Sequence, residues 1–218
     1  MGYNVAIDGP AGAGKSTIAK KVSGELSYIY VDTGAMYRAM AYYLIQNQVD
    51  AADQEAIAAA CQHADISICY QDGEQVVLLN GENVNAYLRT EAVGNMASVT
   101  SVNPDVRKKL MVLQQKLARE KDVVMDGRDI GTVVLPDADV KVYLTASVET
   151  RAKRRFLELQ EKGESADLAK IAADIEDRDY RDMHRDISPL RQAEDATLVD
   201  SSDMTIDQVV ERILELCR

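Results

Sequence analysis

The sequence predicts an α/β protein with a five-stranded parallel sheet flanked by helices. Two observations support this fold class. Five short apolar runs alternate with segments of helical periodicity, which is the order expected of a doubly wound sheet. The first run leads directly into a glycine-rich segment that opens a helix. The five predicted strands are Tyr3–Asp8, Tyr28–Asp32, Asp122–Asp126, Val140–Leu144 and Thr197–Asp200.

The glycine-rich segment matches the pattern Gly-x-x-x-x-Gly-Lys-Ser/Thr, and Ile18 and Val22 follow it at helical spacing. In such a loop the glycines let backbone N–H groups point at phosphate oxygens, and the helix N-terminus adds a positive dipole. A dinucleotide fingerprint fits less well, because Thr17 stands where it needs Gly or Ala. We therefore predict a P-loop that binds a nucleoside triphosphate, with Lys15 on the β- and γ-phosphates and Ser16 ligating Mg²⁺. The P-loop residues are Gly9, Pro10, Ala11, Gly12, Ala13, Gly14, Lys15, Ser16 and Thr17.

Four of the predicted strands end at or next to an aspartate: Asp8, Asp32, Asp126 and Asp200. Ligands of open α/β sheets bind beyond the carboxyl ends of the strands, so we expect these carboxylates near the phosphates. An aspartate at a strand end can equally serve as a turn or cap residue. Either Asp32 or Asp126 could hold the waters of the metal ion.

Two segments interrupt the strand–helix alternation. The hairpin dipeptides Asp72-Gly73 and Asn80-Gly81 predict a small antiparallel meander over Ile66–Asn85, inside an otherwise helical insert at 34–97. The second segment, 148–185, is charged and helical, and we expect it to form a mobile lid. We predict one unit over residues 1–218, with neither insert an independent domain. Its core is formed by residues 1–33, 98–147 and 186–218.

Composition limits the partners of the chain. With 218 residues, 46% of them hydrophobic, one sizeable core is expected, and a net charge of −11 argues against binding nucleic acid. Three widely spaced cysteines indicate a reducing compartment. Because the sequence has no leader and no long apolar run, we expect a cytoplasmic protein that binds no membrane. We also expect a monomer.

The lid carries a concentration of arginines. Four residues share one face of its predicted second helix: Arg178, Arg181, Asp182 and Arg185. Three arginines on one face need an anionic partner, and a polyphosphate fits their bidentate geometry. The alternative is a solvated face with salt bridges to neighbouring aspartates. A further basic face opens the first helix of the lid: Arg151, Arg154 and Arg155.

Two loops that follow strands add polar residues. Glycines bracket Arg128 and Asp129 after the third strand, and Thr33 and Arg38 follow the second. A loop that grips a triphosphate, together with arginines that converge on it, meets the requirements of phosphoryl transfer. Flaps that close over the donor would keep water from acting as the acceptor.

Four segments together resemble the bacterial cytidylate kinase family: Gly9–Thr17, Asp32–Arg38, Asp126–Val134 and Arg178–Arg185. All P-loop proteins share the first, whereas the second and third together are specific to this family. The meander resembles the enlarged nucleoside-monophosphate-binding insert that separates bacterial members from shorter eukaryotic UMP/CMP kinases. The resemblance covers essentially the whole chain. It implies a P-loop NTPase fold and phosphoryl transfer from ATP–Mg²⁺ to CMP or dCMP.

The resemblance also implies roles for individual residues. Implied contacts of the acceptor nucleotide are Thr33, Arg38, Ser98, Arg107, Arg128, Asp129, Arg178, Asp182 and Arg185. The residues implied to act on the reacting phosphates are Lys15, Arg128, Arg178, Arg181 and Arg185, with Arg155 on the ATP side. Many relatives have serine where this chain has Thr33, so the hydroxyl is kept and only its fine geometry differs.

Two other classes of protein compete with this interpretation. One is a P-loop kinase of another small acceptor, such as UMP or a shikimate-like metabolite. The long second insert and the pair Ser98 and Arg107 disfavour an acceptor as small as a sugar or shikimate, which needs no such platform. The other is a GTPase switch, which reads guanine with Asn-Lys-x-Asp and senses the γ-phosphate with Asp-x-x-Gly. Neither pattern occurs in the sequence.

Overall fold

The computed structural model describes residues 2–71 and 73–218. The strands of the main sheet are β1 (Asn4–Asp8), β2 (Ile29–Asp32), β6 (Val123–Gly127), β7 (Val140–Thr145) and β8 (Thr197–Asp200). Their order is β2-β6-β1-β7-β8. The predicted parallel sheet is confirmed, and each predicted strand is correct to within a residue at either end.

Strand β1 lies at the centre of this sheet, and its three middle residues, Val5, Ala6 and Ile7, are apolar and fully buried. Val5 pairs in parallel register with Val124 on one side and with Val140 on the other. All five residues of β1 are buried, as expected for a strand covered by helices on both faces. This position places the end of β1, where the P-loop begins, in the middle of the carboxyl edge of the sheet.

A second, antiparallel sheet confirms the predicted meander. It consists of β3 (Ile66–Gln71), β4 (Glu74–Leu79) and β5 (Glu82–Asn83) in sequential order. Gln71 pairs with Glu74 at the first turn, and Asn80 and Gly81 take positive φ at the second. Asp72, which belongs to the first predicted hairpin dipeptide, lies outside the described residues.

The helices follow the predicted alternation. They are α1 (Lys15–Leu26), α2 (Thr33–Gln46), α3 (Gln54–Cys61), α4 (Glu91–Thr100), α5 (Pro104–Glu120), α6 (Val148–Glu161), α7 (Leu168–His184) and α8 (Ile206–Leu216). Side chains close several N-termini; Asp32 accepts the Ala35 N–H of α2, and Asp167 accepts two N–H groups of α7. Among the described helices, none is both long and apolar enough to cross a membrane.

The chain forms two compact units. The larger contains residues 2–30 and 122–218, and its core joins β1, β6, β7 and β8 to α1 and α8. The smaller contains residues 31–121, and one of its apolar clusters joins Ala41 of α2 to Val93 and Ala97 of α4. The smaller unit includes α5, which the sequence assigned to the core. The predicted limits at 34–97 and 148–185 stay predictions.

Candidate active site

The P-loop has the backbone that its glycines predict. Gly9, Gly12 and Gly14 have φ of 152°, 74° and 86°. A side chain at Gly9 is excluded by space, since its Cβ would lie 1.9 Å from the carbonyl oxygen of Leu144. Gly14 is the left-handed N-cap of α1, so the helix begins at Lys15 and directs its N-terminus into the loop. The loop therefore has the geometry of an anion-binding cradle.

Lys15 is held inside this loop, and 6% of its surface is exposed. Its Nζ donates to the carbonyl oxygen of Pro10 at 2.7 Å. Burial, and secondarily the nearby Arg128, lower the pKa of the Lys15 ammonium well below its usual value, against the opposing effect of Asp126. A desolvated cation at this position is well placed to interact strongly with phosphate oxygens.

Ser16 and Asp126 meet at the start of α1. The Ser16 hydroxyl donates to Oδ2 of Asp126 at 3.0 Å, and the Tyr30 hydroxyl donates to Oδ1 of the same carboxylate at 2.9 Å. Hydroxyl and carboxylate oxygens are ligands that Mg²⁺ accepts. Within residues 2–71 and 73–218 no group of three His, Cys, Asp or Glu residues could form a protein cage for a metal. Ser16 and Asp126 themselves offer oxygen ligands of the kind that suits Mg²⁺.

Asp8 lies under the loop that follows β6. Its two carboxylate oxygens accept the backbone N–H groups of Ile130 and Gly131 at 2.8 and 2.7 Å. These residues belong to a π-helical turn, Ile130–Val134. Burial raises the pKa of Asp8 to about 6, although the two N–H donors lower it. Asp8 thus fixes the backbone beside the Arg128–Asp129 pair.

The other two strand-end aspartates that follow β2 and β8 make local contacts. Asp32 caps α2 within the smaller unit. Asp200 is exposed and accepts from the backbone and the hydroxyl of Ser202, so it serves as a turn residue. Of the strand-end aspartates, Asp126 bonds Ser16 of the P-loop, as expected of a carboxylate near the phosphates, whereas Asp200 has the alternative role of a turn residue.

The structure brings together five of the predicted residues at the ends of β6 and α7: Arg128, Asp129, Arg178, Asp182 and Arg185. Arg128 Nε lies 2.9 Å from Asp182 Oδ2, and both side chains are largely buried. Arg185 Nη2 lies 3.9 Å from Asp129 Oδ1. Burial acts to raise the pKa of Asp182, but the positive charges of Arg128, Arg178 and Arg185 outweigh it and lower that pKa.

The helical spacing that predicted one arginine face is only partly realised. Helix α7 ends at His184, and Arg185 has an extended backbone, with its Nε donating to the carbonyl oxygen of Ser188 at 2.7 Å. Arg181 is exposed and donates to the carbonyl oxygen of Asp177. Arg155 is also exposed, 2.8 Å from Glu158. Any role of Arg155 or Arg181 in phosphate binding stays a prediction.

Sequence reasoning missed a buried ion pair beside the P-loop. Arg151 and Asp179 lie 2.6 Å apart, with side chains 5% and 11% exposed. The sequence predicts one basic face of Arg151, Arg154 and Arg155, but Arg151 pairs with Asp179 whereas Arg154 bonds Ser201. The two partners lie on different helices, α6 and α7, so no local spacing in the sequence indicates this pair.

The remaining predicted site residues belong to the smaller unit. Thr33 is buried at the first position of α2. Arg107 is also buried; its Nη1 donates to the Ser101 carbonyl oxygen, and its guanidinium lies 5.8 Å from the centre of the Tyr37 ring. The Ser101 hydroxyl in turn donates to the carbonyl oxygen of Ser98, so Ser98 and Arg107 are connected through one residue. Arg38 is half-buried on α2.

Comparison with known proteins identifies the family. The family model described as cytidylate kinase matches residues 5–218. The chain belongs to the cytidylate kinase family. A cytidylate kinase of Lactobacillus johnsonii is 52% identical over 97% of this chain and 92% of its own length. One of Caldicellulosiruptor saccharolyticus is 50% identical over 98% and 94%, and one of Shouchella clausii is 47% identical over 100% and 96%.

Solved structures of more distant proteins share the fold of this cytidylate kinase family member. An uncharacterized protein from Eubacterium ventriosum gives a TM-score of 0.53 at 14% identity, covering 98% of this chain and 96% of its own. A shikimate kinase from Bacteroides thetaiotaomicron gives 0.50 at 13% identity, with 99% and 98% covered. At such low identity these likenesses concern the fold alone.

Proposed function

We propose that this chain transfers a phosphoryl group from ATP–Mg²⁺ to CMP or dCMP, giving ADP and CDP or dCDP. The observation that carries the proposal is the match to the cytidylate kinase family over residues 5–218. The P-loop and the charged residues beside it supply the parts that such a reaction requires: a phosphate cradle, a metal site and cations for the transferred group.

On the donor side, the P-loop amides and Lys15 would hold the β- and γ-phosphates. Ser16 would ligate Mg²⁺ directly, and Asp126 would hold its waters. Asp126 is preferred to Asp32 because its carboxylate accepts the Ser16 hydroxyl at 3.0 Å, whereas that of Asp32 caps α2. An Mg²⁺ ion held by Ser16 and Asp126 would supply positive charge against the negative charge that develops on the phosphate oxygens.

On the acceptor side, we assign the larger-unit contacts to Arg128, Asp129, Arg178, Asp182 and Arg185. The Arg128–Asp182 pair combines a guanidinium, which suits phosphate oxygens, with a carboxylate, which suits the pentose hydroxyls. The smaller unit would contribute Thr33, Arg38, Ser98 and Arg107. Arg181 and Arg155 would reach the phosphates only if the lid closes.

Selection of cytosine follows from hydrogen-bond chemistry. Cytosine presents an N4 amino donor and an N3 acceptor, whereas uracil presents O4 and N3–H. A site built to pair with cytosine would leave buried polar groups unpaired when uracil binds. Ser98, Arg107 and Asp129 are the candidates for this pairing.

A coupled kinase assay tests the proposal, with ATP–Mg²⁺ as donor and CMP, dCMP, UMP, AMP, GMP and shikimate as acceptors. We expect CMP and dCMP to be the best substrates and UMP to be much poorer. Lys15→Ala, prepared in parallel, controls for a contaminating kinase. Equal catalytic efficiency on CMP and UMP would refute the assignment of cytosine contacts, and turnover of shikimate without CMP would refute the activity.

A monomeric state and a cytoplasmic location stay predictions from the sequence. The monomer can be tested by light scattering on the purified chain.

A further inference from the structure

The buried ion pair bonds both backbone polar groups of one P-loop residue, Ala11. Nη1 of Arg151 donates to the carbonyl oxygen of Ala11 at 2.9 Å, and its Nε donates to that of Ala146 at 2.9 Å. Oδ1 of Asp179 accepts the Ala11 N–H at 3.4 Å, while Oδ2 lies 2.6 Å from Arg151 Nη1. The two side chains therefore connect the P-loop to both lid helices, α6 and α7.

The backbone amides of a P-loop attract anions, so a carboxylate and a phosphate suit the same N–H groups. Here a carboxylate of the lid takes one of those amides. The position of α7 and the conformation of the donor loop are thus connected by direct bonds through Ala11.

Helix α7 also holds an expected acceptor contact. Asp182, which pairs with Arg128, follows Asp179 by three residues, or about 4.5 Å along the helix axis. Both aspartates are buried and belong to the same helix turn. Because a helix moves as a rigid element over one turn, a shift of α7 at Asp182 also displaces Asp179 and its bond to the loop.

We infer that Arg151 and Asp179 are positioning residues that couple the binding of the two nucleotides. Acceptor bound at Asp182 and Arg128 fixes the position of α7. Because Asp179 and Arg151 bond the backbone of Ala11, the position of α7 also fixes the conformation of the donor loop. The inference rests on the proposed function, since it takes the acceptor role of Asp182 from it. An ion pair that only stabilises the fold would give no such coupling.

Three variants separate the two possibilities. Asp179→Asn keeps the shape of the side chain and an oxygen for the Ala11 N–H, but it removes the charge opposite Arg151. The double variant Arg151→Met/Asp179→Leu replaces both charges by apolar side chains, so that no buried charge is left alone if the single variant folds poorly. Asp174→Asn removes the same charge from an exposed position of α7 and is the matched control.

Calorimetric titration with the non-hydrolysable analogue AMP-PNP–Mg²⁺, with and without saturating CMP, measures the coupling as a ratio of dissociation constants. We expect CMP to change AMP-PNP affinity at least about 5-fold in the wild-type chain and in Asp174→Asn. In Asp179→Asn and in the double variant the ratio should approach 1. Thermal unfolding of each variant verifies that it is folded.

A wild-type ratio retained in the folded double variant would overturn the inference, and so would a ratio of 1 in a wild-type chain that phosphorylates CMP. Neither result affects the proposed function. That function fails on a different observation, the absence of CMP phosphorylation by the wild-type chain.

Discussion

The buried carboxylate of Asp8 should make the stability of the chain depend on pH in an unusual direction. Its pKa is raised to about 6 from an ordinary value of 3.8, chiefly by burial. The folded chain therefore binds this proton more tightly than the unfolded chain does. Between pH 4 and 6 the folded state carries the extra proton, so Asp8 makes the free energy of unfolding fall as pH rises.

The size of the effect follows from the shift. A pKa raised by about two units lowers the free energy of unfolding by about 3 kcal/mol when the pH lies above both pKa values. At pH 4.5 the free energy of unfolding is lowered by only about 1 kcal/mol. The Asp8 contribution to this free energy should therefore fall by about 2 kcal/mol between pH 4.5 and 7.5.

Urea unfolding of the wild-type chain and of Asp8→Asn across this pH range isolates the contribution. Asparagine does not titrate, and the bond it loses to Ile130 or Gly131 destabilises the variant to a similar extent at each pH. The wild-type free energy of unfolding minus that of the variant should therefore decrease by about 2 kcal/mol from pH 4.5 to 7.5.

Asp200→Asn provides a control from another strand-end aspartate. Hydrogen bonds from Ser202 lower the pKa of Asp200, so its contribution is present above the ordinary pKa and is lost only as pH falls through the lowered one. The wild-type free energy of unfolding minus that of Asp200→Asn should therefore not decrease as pH rises. If the Asp8 difference stays constant from pH 4.5 to 7.5, then Asp8 has an ordinary pKa and the reasoning is wrong.

Three further predictions concern the same region. Lys15→Ala should lower kcat by several orders of magnitude while thermal unfolding shows an intact fold, because the buried ammonium acts on phosphate charge; an unchanged kcat would remove the P-loop from the mechanism. Gly9→Ala should destabilise the chain by several kcal/mol, since the new Cβ meets the Leu144 carbonyl oxygen. Gly24→Ala is the control, because it has open space in α1 and should stabilise the chain by up to about 1 kcal/mol. Urea unfolding measures both changes. Arg185→Lys should not restore the kcat lost in Arg185→Ala, because an ammonium has no bidentate fork. Wild-type kcat in both variants would indicate a merely structural arginine.

Much of the fold could be predicted because the signals are local. The apolar run around Val5 and Ile7 is a strand covered on both faces, and the glycines at 9, 12 and 14 specify their own backbone. The residues around Asp8 could not be predicted in the same way. Its partners, Ile130 and Gly131, are more than a hundred residues away, and they contribute backbone N–H groups that have no sequence signature.

The arginines of the lid show most clearly what spacing leaves undetermined. Helical periodicity puts Arg178, Arg181 and Asp182 on one side of α7, yet Arg181 is exposed and Asp182 is buried. Burial here is decided by partners from other elements, because a buried charge requires an opposite charge beside it.

Those partners are Arg128 at the end of β6 and Arg151 on α6, each opposite one buried aspartate of α7. In this arginine-rich segment, the two buried aspartates therefore show which face of α7 packs against the rest of the protein. Arg178 and Arg185 lie near Asp182 and lower its pKa. A phosphate that binds there can alter the pairing of these charges. Removing the Asp179 charge should consequently weaken binding of AMP-PNP–Mg²⁺ at the P-loop, whereas removing the Asp182 charge should weaken binding of the acceptor CMP. Dissociation constants for AMP-PNP–Mg²⁺ and for CMP, measured separately in Asp179→Asn and Asp182→Asn, distinguish the two effects, and equal losses for both nucleotides in both variants would contradict this division.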